Sequence, residues 1–174
     1  MQGPVDISAS LDVLCEAVVD RYHASLQEQL PRIRDELAAM STAAASPELA
    51  MVQVAFNDVA DQIASHIVKE EQLLFPAIAA LTDAERAGGS RPPLVFATIL
   101  HPIRLMEAEH GRIEMALDRL RELAKSVSMP DGVRPAWEAC MADLARLDTE
   151  LRAHHRTENQ VLFPRAIELE RRLV

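Results

Sequence analysis

An all-α, up-down-up-down four-helix bundle is the fold this sequence predicts, on three observations. The 174 residues include only five glycines, one Trp and one Tyr, and Ala, Leu, Glu and Arg dominate, which is the composition of helices. Four long segments carry an apolar seam at alternating steps of three and four residues. Clusters of Pro, Gly and Ser separate those segments and stop helices. A chain of this length buries a substantial core within one domain, expected to span residues 1–174.

Helices are expected at about 7–41, 47–81, 102–127 and 135–172. Ser46-Pro47 offers an N-cap with proline at the first helical position. Gly88, Gly89, Pro92, Pro93 and then His101-Pro102 break the middle of the chain, and Met129-Pro130-Asp131-Gly132 breaks it again. Residues 83–101 form a long connection in which PPLVFATIL is expected to make a short helix.

The seams place ionisable residues in the core. The first reads Val19, His23, Leu26, Leu30, Ile33, Leu37, Met40, and the second Val52, Phe56, Val59, Ile63, His66, Glu70, Leu73, Ala77. The third reads Ile103, Met106, His110, Ile113, Leu117, Leu120, and the fourth Trp137, Cys140, Leu144, Leu147, Leu151, His154, Glu158, Val161. Each apolar stripe is interrupted at the same kind of position, and such a group in a core is costly unless paired or coordinating a metal.

An internal repeat sharpens this. HIVKEEQLLFPAIAAL from position 66 and HHRTENQVLFPRAIEL from position 154 share His, Glu, Gln, Leu, Phe, Pro and the final Leu at a constant offset of 88. His23 and His66 are 43 positions apart, and His110 and His154 are 44 apart, as two related hairpins predict. About 18 residues lead down from His23 and about 19 return to His66, so at 1.5 Å per residue both lie at one height. The second hairpin repeats the arithmetic, and four histidines are expected in one layer.

His66 and Glu70, like His154 and Glu158, stand four apart and share one helical face. With His23 and His110 they supply four imidazoles and two carboxylates, an inventory suited to two first-row transition metals, iron or manganese. No thiolate joins the set, against an iron–sulfur cluster or a cysteine-zinc site. If both glutamates bridge, each ion has two histidines and two carboxylate oxygens, with room for a solvent-derived bridge and an open position for a small diatomic molecule.

Other polar residues are read as bland. A lone His-x-x-x-Glu pair is commonly a surface salt bridge; it is the repetition in phase that carries the argument. His155 lies about 100° round the helix from His154 and is expected to be solvated. His101 is expected to cap or contact a loop, and Glu114 is a third-choice ligand. Packing and solvation are expected for Tyr22, Glu109 and Glu16, core filling for Phe75 and Phe163, and bending of the helices for Pro76 and Pro164. Cys15 and Cys140 read as buried free thiols.

A net charge of −9 without a basic run excludes broad nucleic-acid contact. No segment reaches the roughly 18 uninterrupted apolar residues of a membrane span, and no basic flank precedes an apolar N-terminal stretch. A cytoplasmic location is expected.

At RYHASLQEQLPRI, SHIVKEEQLLFP, PIRLMEAEH and HHRTENQVLFPRA the sequence resembles the hemerythrin-like HHE cation-binding proteins, and within them the di-iron iron–sulfur cluster repair family. The resemblance implies metal ligands at His23, His66, Glu70, His110, His154 and Glu158 and two iron ions with an oxo or hydroxo bridge. It implies nitrosative and oxidative stress defence, with nitric oxide or oxygen as small-molecule ligand and damaged iron–sulfur proteins and an electron donor as partners. Redox turnover of nitric oxide or peroxide is the enzymatic form of that reading. Two departures stand beside it. The repair proteins usually carry an N-terminal module with a cysteine pair, and this sequence begins almost directly at the bundle. Oxygen-carrying hemerythrins have an aspartate where Asn159 stands and a second histidine in the third helix where Glu114 follows His110. An oxygen carrier or sensor is therefore the alternative, and a structural or zinc-binding bundle the second alternative.

Overall fold

The computed structural model describes residues 6–44 and 46–174; the remainder of the expected 1–174 domain lies outside the described residues. Four long helices follow one another. Helix α1 runs through Leu11–Val18, a π-helical turn at Val19–His23, and Ala24–Ala44. Helix α2 runs through Pro47–Lys69, a π turn at Glu70–Leu74, and Phe75–Arg86. Helix α3 is Leu100–Lys125, and α4 comprises Arg134–Thr157, a π turn at Glu158–Leu162, and Phe163–Leu173. Around the bundle, α1 packs on α2 and α4, and α3 on α2 and α4.

The ends have local causes. Ser46 Oγ accepts from the Leu49 N–H at 3.3 Å, and Pro47 opens α2 where no donor is needed. Gly88, at φ +63°, closes α2 in a left-handed turn: its N–H reaches the Glu85 carbonyl at 3.0 Å, and the Gly89 N–H reaches that of Ala84 at 2.9 Å. The short helix expected in PPLVFATIL does not form; residues 89–98 are irregular. Paired prolines remove donors and fix φ, and Glu170 holds this connection instead, accepting from Arg91 Nε at 2.7 Å, Thr98 Oγ1 at 2.5 Å and the Ile99 N–H at 3.1 Å.

The apolar seams form two cores. One gathers Leu26, Ile33, Phe56, Ile63, Leu117 and Leu147 with their neighbours towards the α1–α2 turn. The other gathers Leu14, Val18, Ile78, Ile103, Phe163 and Leu169 towards the opposite end. His23, His66, Glu70, His110, His154 and Glu158 lie between them, all buried. Cys15 and Cys140 are buried and free, as expected.

Three seam positions are corrected. Leu73 is exposed while Leu74 is buried, Val161 gives way to Leu162, and Val19 gives way to Val18. The cause is the same each time: a π turn adds one residue to the helix and moves the seam by one position on the far side of the buried polar layer. In α2 and α4 the turn ends at Phe-Pro, whose proline lacks the N–H that would continue a regular ladder. The two prolines stand beside widened turns. No helix among the described residues is long and apolar enough to cross a membrane.

Candidate metal centre

Each π turn sits on a proposed ligand, with His23 closing one and Glu70 and Glu158 opening the others. Helix α3 has no such turn and presents His110 from an unbroken seam.

The six side chains meet in the layer between the cores. The Nε2 atoms of His23 and His154 are 3.2 Å apart, and those of His66 and His110 are 3.0 Å apart. Glu70 reaches both pairs, with Oε2 at 3.3 Å from His23 Nε2 and Oε1 at 3.2 Å from His66 Nε2. Glu158 does the same, with Oε1 at 3.0 Å from His154 Nε2 and Oε2 at 3.2 Å from His110 Nε2. Two donor sets result: His23, His154, Glu70 and Glu158, and His66, His110, Glu70 and Glu158, with donor atoms in each set within 4.8 Å of one another. Each carboxylate gives one oxygen to each set.

Hydrogen bonds at the far side of three of the rings fix their tautomers, whereas His154 Nδ1 is buried without a hydrogen-bond partner. His23 Nδ1–H donates to Glu71 Oε1 at 2.8 Å, His66 Nδ1–H to Glu109 Oε2 at 3.1 Å, and His110 Nδ1–H to Asn159 Oδ1 at 2.9 Å. Lys69 Nζ also donates to Glu109. Each bond leaves an Nε2 lone pair aimed at the centre, the arrangement that orients metal-bound histidines. Tyr22 stacks on His154 at 5.3 Å, Phe75 on His23 at 5.8 Å and Phe163 on His110 at 5.9 Å.

A metal fits this arrangement. Two donors about 2.1 Å from one ion and at right angles to each other lie about 3.0 Å apart, which is the spacing of the facing nitrogens. All four oxygens of Glu70 and Glu158 are buried without a hydrogen-bond partner, a costly state unless a cation or protons complete it. In the metal-free protein protons take that place. Burial opposes a charge on His110, but the Glu158 and Glu70 carboxylates overcome it and push its pKa up to about 10. Burial likewise disfavours the charge on Glu70, and contact with His110, His23 and His66 outweighs it, so the carboxyl lies well below its ordinary range. A bound cation displaces these protons.

His155 is a correction. It is 1% exposed rather than solvated, donates from Nδ1 to Glu114 Oε1 at 2.8 Å, and stacks on His110 at 3.9 Å. Contacts with His110 and Glu114 of α3 cover it, although it lies off the seam. Glu114 serves this ring and is not grouped with the other carboxylate donors. His101 is exposed at the start of α3, and Glu16 is exposed on α1. The acceptor roles of Glu71, Glu109 and Asn159 escaped sequence reasoning; adjacency in sequence to a candidate ligand, as in Glu70-Glu71, Glu109-His110 and Glu158-Asn159, was the available signal.

Comparison with known proteins agrees with the fold and with this chemistry. Residues 101–172, which span α3 and α4, match the hemerythrin HHE cation binding domain. The iron–sulfur cluster repair protein YtfE of Edwardsiella ictaluri (strain 93-146) is 31% identical over 163 residues, covering 91% of this chain and 67% of that protein. The YtfE proteins of Yersinia pestis (strain Pestoides F) and Yersinia pseudotuberculosis serotype O:1b (strain IP 31758) are 30% and 31% identical over 158 and 160 residues, 88% of this chain and 65% of each relative. The chain thus spans about two thirds of the length of these curated relatives. It belongs to the hemerythrin-like HHE cation-binding family, among the YtfE iron–sulfur cluster repair proteins.

Proposed function

We propose that the chain is a non-haem di-iron protein of nitrosative and oxidative stress defence that binds nitric oxide or oxygen species and supports repair of iron–sulfur centres. His23, His66, Glu70, His110, His154 and Glu158 are the ligands. The observation that carries this reading is the sharing of both carboxylates between two imidazole pairs. Four neutral imidazoles with two carboxylates and no thiolate suit iron, and the relatives are named as iron–sulfur cluster repair proteins. On this reading residues 1–174 act as one domain in the cytoplasm, with an electron donor and damaged iron–sulfur proteins as partners.

The protein's part is to hold and to exclude. Phe75 and Phe163 back two of the rings, and the apolar cores on both sides keep bulk water from the layer. Glu71, Glu109 and Asn159 keep the Nδ1 protons outward. A ferrous pair supplies electrons and an open position for a diatomic molecule. With no thiolate to clamp it, iron held by imidazole and carboxylate is also suited to donation.

The test is an anaerobic titration of the reduced, iron-loaded protein with nitric oxide, followed by mixing with a nitric-oxide-damaged iron–sulfur enzyme. Uptake of nitric oxide and recovery faster than with an equal amount of free ferrous iron are expected, and His23→Ala and Glu158→Ala should lose both. A stable, reversible oxygen complex without faster recovery would replace this reading with that of a carrier or sensor.

A further inference from the structure

Each ring of the buried layer is met by a residue that stands beside a different candidate ligand in sequence. Glu71, after Glu70, meets His23; Glu109, before His110, meets His66; and Asn159, after Glu158, meets His110. Tyr22, before His23, completes the cycle by meeting His154. The internal repeat gives this cycle a structural cause. At the offset of 88 that relates α2 to α4, His66 corresponds to His154 and Lys69 to Thr157. At an offset of 87 between α1 and α3, Tyr22 corresponds to Glu109 and His23 to His110. The contacts follow the correspondence. Glu109 accepts from His66 Nδ1 at 3.1 Å and is itself met by Lys69. Tyr22 lies on His154, and its hydroxyl stands 3.5 Å from Thr157 Oγ1.

The two equivalent positions hold their rings by different means. Glu109 takes one edge of His66 through a hydrogen bond. The Tyr22 ring lies instead on the face of His154, with centroids 5.3 Å and planes 18° apart, and His154 Nδ1 is buried without a hydrogen-bond partner. Rotation about Cβ–Cγ that would swing His154 Nε2 off the centre is therefore opposed on this side by an aromatic face, through contact area and ring alignment. Tyr22 can do this because it is 8% exposed and packed in the apolar core beside the layer, carried on the π turn Val19–His23.

We propose that Tyr22 is the positioning residue for His154: the flat of its ring fixes the plane of that imidazole and so aims Nε2 at the metal. Glu71, Glu109 and Asn159 do the same for the other rings by accepting hydrogen bonds. This rests on the assignment of His154 as a metal ligand. The aromatic face carries the role, and the phenol oxygen has no part in it.

The test uses the whole chain with 15N-labelled histidine, loaded with zinc, which is diamagnetic and takes imidazole and carboxylate donors. Proton–nitrogen spectra report the Nδ1–H of each ligand ring, and competition with a chelator reports affinity. In wild type three of these protons should stand downfield, held by oxygen acceptors, with that of His154 upfield of them. Tyr22→Leu should weaken metal binding at the His23/His154 position about tenfold, while Tyr22→Phe keeps the wild-type affinity. Tyr22→Glu combined with Thr157→Lys rebuilds the arrangement around His66, and should bring the His154 proton downfield to join the other three. If folded Tyr22→Leu binds metal as wild type does, or Tyr22→Phe loses as much as Tyr22→Leu, the proposal is overturned. It is equally overturned if the His154 proton already stands downfield in wild type or does not move in the double variant. His154→Ala separates the two readings. Unchanged metal content in that variant would overturn the ligand assignment itself, whereas loss there with none in Tyr22→Leu overturns only the role of Tyr22.

Discussion

Glu70 faces His23 and His66 at once, with Oε2 at 3.3 Å from one Nε2 and Oε1 at 3.2 Å from the other. Helices α1 and α2 are thereby joined through a single carboxylate, and Glu158 joins α3 to α4 in the same way through His110 and His154. Because each carboxylate belongs to both donor sets, Glu70→Ala should deplete both metal positions together. His23→Ala removes a donor from one set only and should leave about one metal per chain. Metal analysis of the two purified variants decides this; equal stoichiometry in both would contradict the shared role.

The outward hydrogen bonds predict a second effect. Asn159→Ala removes the acceptor that holds the His110 Nδ1 proton without touching a donor atom. Metal affinity at the His66/His110 position should fall about 10- to 100-fold, with helix content unchanged by circular dichroism. Competition with a chelator of known affinity measures it, and an unchanged affinity would show that packing against Phe163 and His155 alone orients the ring.

Metal should stabilise the fold. Four carboxylate oxygens without partners lie between two apolar cores, and ligand bound at about 100 times its Kd adds about 2.7 kcal/mol per site. Chelation should therefore lower the melting temperature by several degrees. A curve that does not move would mean that protons satisfy the layer as well as metal does.

Away from the metal layer, Glu170 anchors the connection between α2 and α3 through Arg91, Thr98 and Ile99. Burial would raise its pKa, but the bonds from Thr98 and Arg91 outweigh burial and hold it below its ordinary value. A carboxyl lowered in the folded state contributes stability that is present above its unfolded pKa, about 4.3, and is lost as pH falls through the lower folded value. Glu170→Gln should cost about 1–3 kcal/mol at neutral pH and should flatten the acid limb of the stability curve. Urea unfolding of both proteins between pH 7 and pH 3 tests this; parallel curves would refute it.

Much of the fold was legible because helical periodicity reports burial directly. His110 and Ile113 in α3, and Leu151 and His154 in α4, lie where steps of three and four place them. The buried cluster of His23, His66, Glu70, His110, His154 and Glu158 was legible because polar residues in four seams share one depth, and the repeat doubles the signal. The pattern fails at Leu73, Val161 and Val19, since a fixed period cannot register a one-residue π insertion. It fails again at His155, because a seam counts one face of a single helix. That ring is buried by α3 and Glu114, and such a contact belongs to tertiary structure. The connection at 89–98 stays irregular where a short helix was expected, because paired prolines withhold the donors.

The central claim is a pair of irons bridged by two glutamates, and iron content measured by mass spectrometry together with the optical spectrum of the oxidised protein tests it most directly. The account predicts close to two irons per chain, with near-ultraviolet and visible absorption that disappears in Glu70→Ala. One metal per chain, or zinc in place of iron with no such absorption, would contradict it.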